Sequence, residues 1–212
     1  MLAGMTHPFA YGDTELAHLR AACPRMGAFI DECEATGFRP SRPVEEEAFP
    51  TIIRAINDQL ISLKAAANIW GRIVERVGDV TPENFAELDP QDLRDCGTTY
   101  KKAEYMIGIA RMCQDGSLDL EALRHAPDQE VIDTLVSLRG IGLWTAEMLL
   151  IHCYERPDVI SYGDAAIRRG MCMLHGIEDP KTLTRQRFDE LAAPYHPYAT
   201  VASIYLWYLS KQ

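Results

Sequence analysis

Residues 128–170 read DQEVIDTLVSLRGIGLWTAEMLLIHCYERPDVISYGDAAIRRG. Asp128 caps a helix that runs to about Leu138. LRGIG (138–142) interrupts it, and a second helix restarts at about Leu143 and runs to about Tyr154. Glycine tolerates positive φ and close backbone approach, so Gly140 and Gly142 allow a tight turn, and Ile141 between them can plug the gap between the helices. The first N–H groups of the second helix have no intrahelical partner and point outward, a seat for a phosphate that needs little positive charge. A lone Gly-x-Gly is also simply a tight turn, so its context decides. Here a loop, ERPDVISYG (155–163), leads to Asp164 at the start of another helix, where the dipole and the free N–H groups favour a carboxylate. An N-cap role and a chemical role for Asp164 are compatible, because a cap fixes the side chain.

Working outward, the chain reads as helices from end to end. Residues 14–36 hold apolar positions at helical spacing with Pro24 as a break or kink, and 38–47 form a Pro-rich charged connector. In 49–77 the residues Ile52, Ile56, Leu60, Leu63, Ala67, Trp70, Ile73 and Val77 fall on one helical face. Thr81-Pro82 and Asp89-Pro90 each pair an N-cap with proline at the first helical position, which predicts short helices near 82–88 and 90–96. Further helices are expected at 99–114, 119–125, 164–175, 182–193 and 198–211. No stretch alternates as a strand does. The fold class is all-α.

The 212 residues carry 21 Lys and Arg against 31 Asp and Glu, a net charge of −10. With 47% hydrophobic and 25% charged residues, the chain is an ordinary globular one, and disorder, collagen and a small disulfide scaffold are excluded. Cys23, Cys33, Cys96, Cys113, Cys153 and Cys172 form no C-x-x-C pair and read as reduced cytosolic thiols. No apolar run reaches spanning length, and MLAGMTHPFAYGD lacks the pattern of a signal peptide, so a cytoplasmic protein is expected, nucleoid-associated or nuclear according to its source. The acidic balance argues against unselective polyanion binding and leaves room for a local basic patch facing DNA.

The run L-x-G-I-G-x-W-T-A-E, followed by P-D-V and then G-D-x-x-I-R-R, resembles the helix–hairpin–helix (HhH-GPD) DNA glycosylase superfamily from about residue 48 to 211, and within it the DNA-3-methyladenine glycosylase II branch. The resemblance implies a single glycosylase domain over 1–212 in two helical lobes. One lobe spans 48–154 and carries the hairpin at 128–154; the other joins 1–47 to 155–212, with the active-site cleft between them. It implies that Asp164 is the catalytic aspartate and that Asp158 supports the loop. Relatives that also cut the backbone carry a lysine two residues after the second hairpin glycine, where it forms a Schiff base. Trp144 stands there, which implies no lyase activity. Many relatives hold an iron–sulfur cluster on four cysteines near the C-terminus; Cys172 is the last cysteine here, so no such cluster is expected.

An enzyme acting on a base must take it out of the stack and fill the hole. By the same resemblance Gln59 and Leu60 enter the duplex, Leu60 as the intercalating plug. Leu60 also lies on the periodic face, so a core position stays open. Trp144 and Met148 match pocket-lining positions, and Trp207 matches an aromatic that stacks on the flipped base; aromatic faces suit a cationic alkylated purine, and core packing is the alternative for all three. Lys101 and Lys102 in KKAEY, Arg139 and Gly140-Ile141-Gly142 in the hairpin, and Arg168 after the aspartate are expected at the DNA, or as solvated charges where they are basic. The chain departs from the family pattern at Asn57-Asp58, where many relatives have small residues, and at Ala199, where many have arginine.

The implied activity is a monofunctional DNA glycosylase that hydrolyses the N-glycosidic bond of alkylated purines such as 3-methyladenine in double-stranded DNA, the opening step of base excision repair. A glycosylase for another damaged base and a non-catalytic DNA-binding module are the rivals. A monomer without cofactor or membrane contact is expected, with a monovalent cation on the carbonyls of Leu138, Gly140 and Ile141 implied by the family alone. His7, His18, His125, His152, His175 and His196 are dispersed and no Cys/His cluster has ligand spacing, which disfavours a zinc-type enzyme.

Overall fold

The computed structural model describes residues 6–212, the side chain of Leu63 excepted. Residues 1–5, the start of the expected second lobe and of the stretch read for a signal peptide, lie outside the described residues. In chain order the elements are β1 (Thr6–Pro8), α1 (Asp13–Ala22), α2 (Pro24–Ala35), β2 (Pro43–Glu45), α3 (Ala48–Asp58), α4 (Leu63–Val77), α5 (Pro82–Ala86), α6 (Pro90–Asp95), α7 (Tyr100–Gln114), α8 (Leu120–Leu123), α9 (Asp128–Ser137), α10 (Leu143–His152), α11 (Ala165–His175), α12 (Arg185–Ala192) and α13 (Ala199–Leu209), with 3-10 turns at Pro180–Thr182 and Ala193–Tyr195. The fold is all-α, ornamented by one two-stranded sheet of β1 and β2. Three-residue strands are too short to show alternation, so the sequence carried no sign of them.

Local chemistry accounts for most boundaries. Pro24 sits in the first turn of α2 and so ends α1 rather than kinking a long helix. The Thr81 and Asp89 side chains accept the N–H groups of Asn84 and Gln91 at 3.3 and 2.8 Å, capping α5 and α6 as expected. Each such cap contributes about 1 kcal/mol. The face read along 49–77 is interrupted. Ile52, Ile56 and Ile73 are buried, but Leu60 is 103% exposed and the chain leaves the helix at Gln59–Ser62. A single stripe presumes one continuous helix, and the break resets its phase: in α4 the buried alanine is Ala66, while Ala67 is exposed.

Two compact units divide the chain. Among the described residues the first comprises Glu45–Leu149 and the second joins Thr6–Val44 to Leu150–Gln212, so α10 begins in one and ends in the other. In the first, α7 packs on α3, α5 and α6. Its core is Ile52, Ile53, Ile56, Phe85, Leu93 and Met106, with Phe49 edge-on to Phe85 at 5.6 Å.

The second unit is organised around α13, whose residues Ala199 to Trp207 are all buried. That is why α13 is apolar all round rather than amphipathic. Helices α1 and α11 pack on it. At Gly170 the approach of α11 is so close that a Cβ would lie 2.2 Å from the Leu206 carbonyl oxygen. That contact sets the spacing of the two helices carrying the site described below. Gly170→Ala is expected to cost about 1–3 kcal/mol through overpacking. Gly71→Ala in α4, where nothing beyond the helix's own neighbouring backbone lies within 4 Å of the added carbon, is expected to gain up to about 1 kcal/mol. Urea unfolding of both variants checks the pair.

Candidate active site and nucleic-acid face

The hairpin turn lies in the first unit. Helix α9 ends at Leu138, whose carbonyl accepts the Ile141 N–H at 3.2 Å, and the Gly142 carbonyl takes the Ala146 N–H at 3.1 Å to start α10. Gly140 has φ +90°, and a Cβ there would lie 2.3 Å from Tyr105 Cδ2, so no other residue fits on either ground. Ile141 is buried as the plug, while Arg139, Gly142, Leu143 and Trp144 are exposed and Met148 is half-buried. Leu143 and Trp144, which open α10, thus reach solvent, while Thr145 and Ala146 of the same turn are buried.

Beside the hairpin, within the same unit, stands the loop between α3 and α4. Leu60 holds φ +59° with its whole side chain in solvent, next to the exposed Ile61. A leucine left exposed forgoes about 1.5–3 kcal/mol of burial, and its left-handed backbone costs roughly another 1 kcal/mol or more. The loop is tied down by polar bonds. Lys102 Nζ donates to the Asn57 and Gln59 carbonyls at 2.8 and 2.6 Å, and Gln59 Nε2 donates to the Gly140 carbonyl at 2.9 Å. Asn57, buried, donates to the Ala66 carbonyl at 3.1 Å across the corner, which is how the chain accommodates Asn57-Asp58. Lys102 is therefore spent on the loop rather than offered to solvent, and burial lowers its pKa. Lys101 is exposed, with its ammonium 5.9 Å above Tyr105. The KKAEY element supports both the loop, through Lys102, and the hairpin, through Tyr105; the sequence reading weighed only its charges.

Asp164 lies in the second unit and caps α11. Its Oδ1 accepts the N–H groups of Ala166 and Ile167 at 2.9 Å each and the indole N–H of Trp207 at 3.1 Å. The loop before it is bolted to the start of α13. Asp158 Oδ1 accepts the Ala199 N–H at 3.1 Å and lies 2.7 Å from His196 Nδ1. Thr200 Oγ1 accepts the Val159 N–H at 2.9 Å, and Ser203 Oγ donates to the Val159 carbonyl at 3.0 Å. One helix therefore holds both the aspartate's loop and the aspartate itself, and Asp158 has the supporting geometry.

Trp207 is 4% exposed and stacks with His152, ring centroids 5.4 Å apart. The Arg42 guanidinium lies over the same indole, 4.6 Å from its centroid. Burial lowers the pKa of Arg42, and Asp164 partly opposes that. Burial likewise lowers the pKa of His152, which keeps the imidazole neutral at pH 7. Nothing local in the sequence sets Arg42 or His152, one of six dispersed histidines, beside this indole. Arg42 sits in a stretch that reads as a connector, and the long-range pairing of its carbonyl with the Phe9 N–H at 2.8 Å, beside the β1–β2 sheet, holds it here. Arg168 is half-buried over the Tyr162 ring at 5.2 Å, which Arg185 shares at 5.6 Å. Among the described residues no three His, Cys, Asp or Glu side chains gather as a metal site, and no helix is long and apolar enough to cross a membrane.

Known proteins share this sequence pattern and fold. DNA-3-methyladenine glycosylase 1 of Schizosaccharomyces pombe is 34% identical over 182 residues, 82% of this chain and 78% of its own. A crystal structure of DNA-3-methyladenine glycosidase from Bacillus halodurans matches with a TM-score of 0.78 at 29% identity, over 97% of this chain and 92% of that one. The S. pombe 3-methyladenine DNA glycosylase in complex with abasic DNA matches with a TM-score of 0.77 at 29% identity, over 94% and 97%. The family model for the HhH-GPD superfamily base excision DNA repair protein matches residues 53–194, and with the glycine hairpin and capped aspartate already in place, the chain belongs to that superfamily.

Proposed function

We propose that this chain is a monofunctional DNA glycosylase of the DNA-3-methyladenine glycosylase II type, which releases alkylated purines from double-stranded DNA. The observation that carries the reading is the three-donor clamp on Asp164 Oδ1 by two backbone N–H groups and the Trp207 indole. A carboxylate so oriented places negative charge at a fixed point with little reorganisation during reaction. N3- or N7-alkylation makes a purine cationic, so it departs with the glycosidic electron pair as a neutral base and needs no strong acid. The sugar gains oxocarbenium character at C1′, which Asp164 stabilises. Water then bonds to C1′ and gives up a proton, with Asp164 orienting or accepting it. The products are a free base and an abasic site.

The exposed Leu60 fits the plug that fills the vacated stack, with Gln59 beside it. Strained, unprotected features of this kind persist where function retains them. The solvent-facing start of α10 fits a DNA phosphate, with Gly140, Ile141 and Gly142 shaping the turn and Arg139 and Lys101 adding charge nearby. Trp144 and Met148 are assigned to the base, and Trp207 acts first as the residue that positions Asp164. No cofactor is proposed. The Leu138 and Gly140 carbonyls already accept hydrogen bonds, yet each carbonyl oxygen keeps a second lone pair. The hairpin therefore fits a weakly held monovalent cation that supplies charge opposite a phosphate, and base release does not depend on it.

Incubation with methylated DNA and detection of released bases tests the reading. Asp164→Asn is expected to bind the same duplex while base release falls on the order of 10²–10³-fold; an active variant refutes the assignment. Borohydride added during turnover should trap no covalent protein–DNA adduct, since Trp144 cannot form an imine. Lys102→Met removes two charged hydrogen bonds that hold the Leu60 loop, so excision from a duplex should drop about ten- to a hundredfold. Excision from single-stranded DNA, where no stack needs filling, should be nearly unchanged, and the salt dependence of duplex binding should keep its slope because no phosphate contact is lost.

A further inference from the structure

One cation at the Asp164 site has no part in base release as described above. The Arg42 guanidinium covers the Trp207 ring at 4.6 Å from its centroid, and the N–H edge of the same indole donates to Asp164 Oδ1 at 3.1 Å. Arg42 is held there from a distant segment. Its carbonyl accepts the Phe9 N–H at 2.8 Å, and the carbonyl of the next residue, Pro43, lies 3.3 Å from His152 Nδ1. The indole is buried and His152 is stacked on it as well, so the ring is closed to a base and Arg42 does not serve base stacking. The Arg42 side chain is half-buried, yet among the described residues no acceptor meets its N–H groups. Five donors in a planar fork are thus left for a group from outside the protein.

Arg42 also lines an open hollow of about 320 Å³, together with Thr6, His7, Pro8, Ser41 and Pro43. The chemistry of that wall suits an anion. Thr6 and Ser41 carry hydroxyls, and His7 Nε2 lies 3.6 Å from Glu155 Oε2, a pairing that engages the imidazole and leaves Arg42 as the fixed cation of the wall. Base release as proposed sets C1′ of the extruded sugar at Asp164. The phosphodiesters on either side of that nucleotide are separated from C1′ by the sugar ring alone. A strand drawn in to Asp164 therefore brings a phosphate within reach of a cation one indole away, and guanidinium–phosphate pairs are bidentate and charge-assisted. Charge argues the same way. An unpaired cation here works against a cationic alkylpurine and against the positive charge that grows at C1′, and once paired with a phosphate it no longer does.

Resting on the glycosylase reading, we propose that Arg42 pairs with a phosphodiester flanking the extruded nucleotide, a backbone contact made by the unit that carries Asp164. The contact holds the drawn-out strand against the aspartate and neutralises a cation that otherwise opposes the reaction.

The test uses the full chain and a duplex bearing a tetrahydrofuran abasic analogue, which is not cleaved. A single neutral methylphosphonate replaces, in turn, each of the two phosphates flanking the analogue. Dissociation constants and their salt dependence are measured for wild type, Arg42→Met and Arg42→Lys. Wild type is expected to lose about tenfold in affinity at one of the two positions, and Arg42→Met to lose about tenfold on the native backbone and then to be insensitive to that methylphosphonate. The slope of log affinity against log salt should shrink by about 1 in Arg42→Met on the abasic duplex, and should not change on undamaged duplex, where no nucleotide is drawn out. Arg42→Lys, which keeps the charge, should remain sensitive to the methylphosphonate. A wild type indifferent to both methylphosphonates, an Arg42→Met variant that keeps the full penalty at both, or an equal loss of slope on undamaged duplex overturns the proposal. A role confined to packing on Trp207 gives the second of these patterns. Failure of the glycosylase reading looks different: wild type then releases no base from methylated DNA, whatever the pattern on the abasic duplex.

Discussion

One oxygen, Asp164 Oδ1, accepts three N–H donors, and the second unit is arranged to bring them there. Two come from the start of α11, because residue 164 is its cap. The third comes from α13, which reaches the carboxylate only because α11 and α13 approach as closely as Gly170 permits. The Asp158, Thr200 and Ser203 bonds fix the preceding loop to the same helix. The carboxylate is therefore referenced twice to α13, directly through Trp207 and indirectly through its own loop. A charge held this way is preorganised, and in a site that excludes water a preorganised charge does more than a mobile one.

The first unit solves a different problem. It keeps Leu60 in solvent at positive φ, at a combined cost of a few kcal/mol relative to a buried helical leucine. The polar bonds of Lys102 and Gln59 offset this by closing the end of α3 and anchoring the loop to the hairpin. The Gly140 carbonyl receives Gln59, and the Gly140 α-carbon lies against Tyr105, so the Leu60 loop and the hairpin share one support. Lys102 and Tyr105, three residues apart on α7, serve that support from the same helical face. An acidic chain can face DNA in this way, because backbone N–H groups at a helix start and a few exposed cations suffice locally while the net charge remains −10.

Much of the helix pattern was legible because its signals are local. Thr81-Pro82 and Asp89-Pro90 mark helix starts through bonds within three residues and appear in the structure as read, and Pro24, read as a break or kink, proves to be the break. The stripe along 49–77 misled at Leu60, since periodicity reports spacing and cannot report that the backbone turns at Gln59. The strand pair of β1 and β2 was invisible for a related reason. Its hydrogen bonds join residues more than thirty positions apart, and nothing in three-residue segments announces a partner.

By itself the sequence determined the all-α class, the glycine hairpin and the position of Asp164 as a cap, since each follows from conformational preferences and hydrogen bonds among near neighbours. Only the tertiary structure decided that Lys102 serves the Leu60 loop rather than solvent, that Trp207 turns its N–H to Asp164, and that Arg42 and His152 flank the indole. Those assignments depend on which surfaces meet when distant segments pack. Burial and direction, the two properties that decide what a charged or aromatic side chain does, are set by that packing and not by the residues alongside it in the chain.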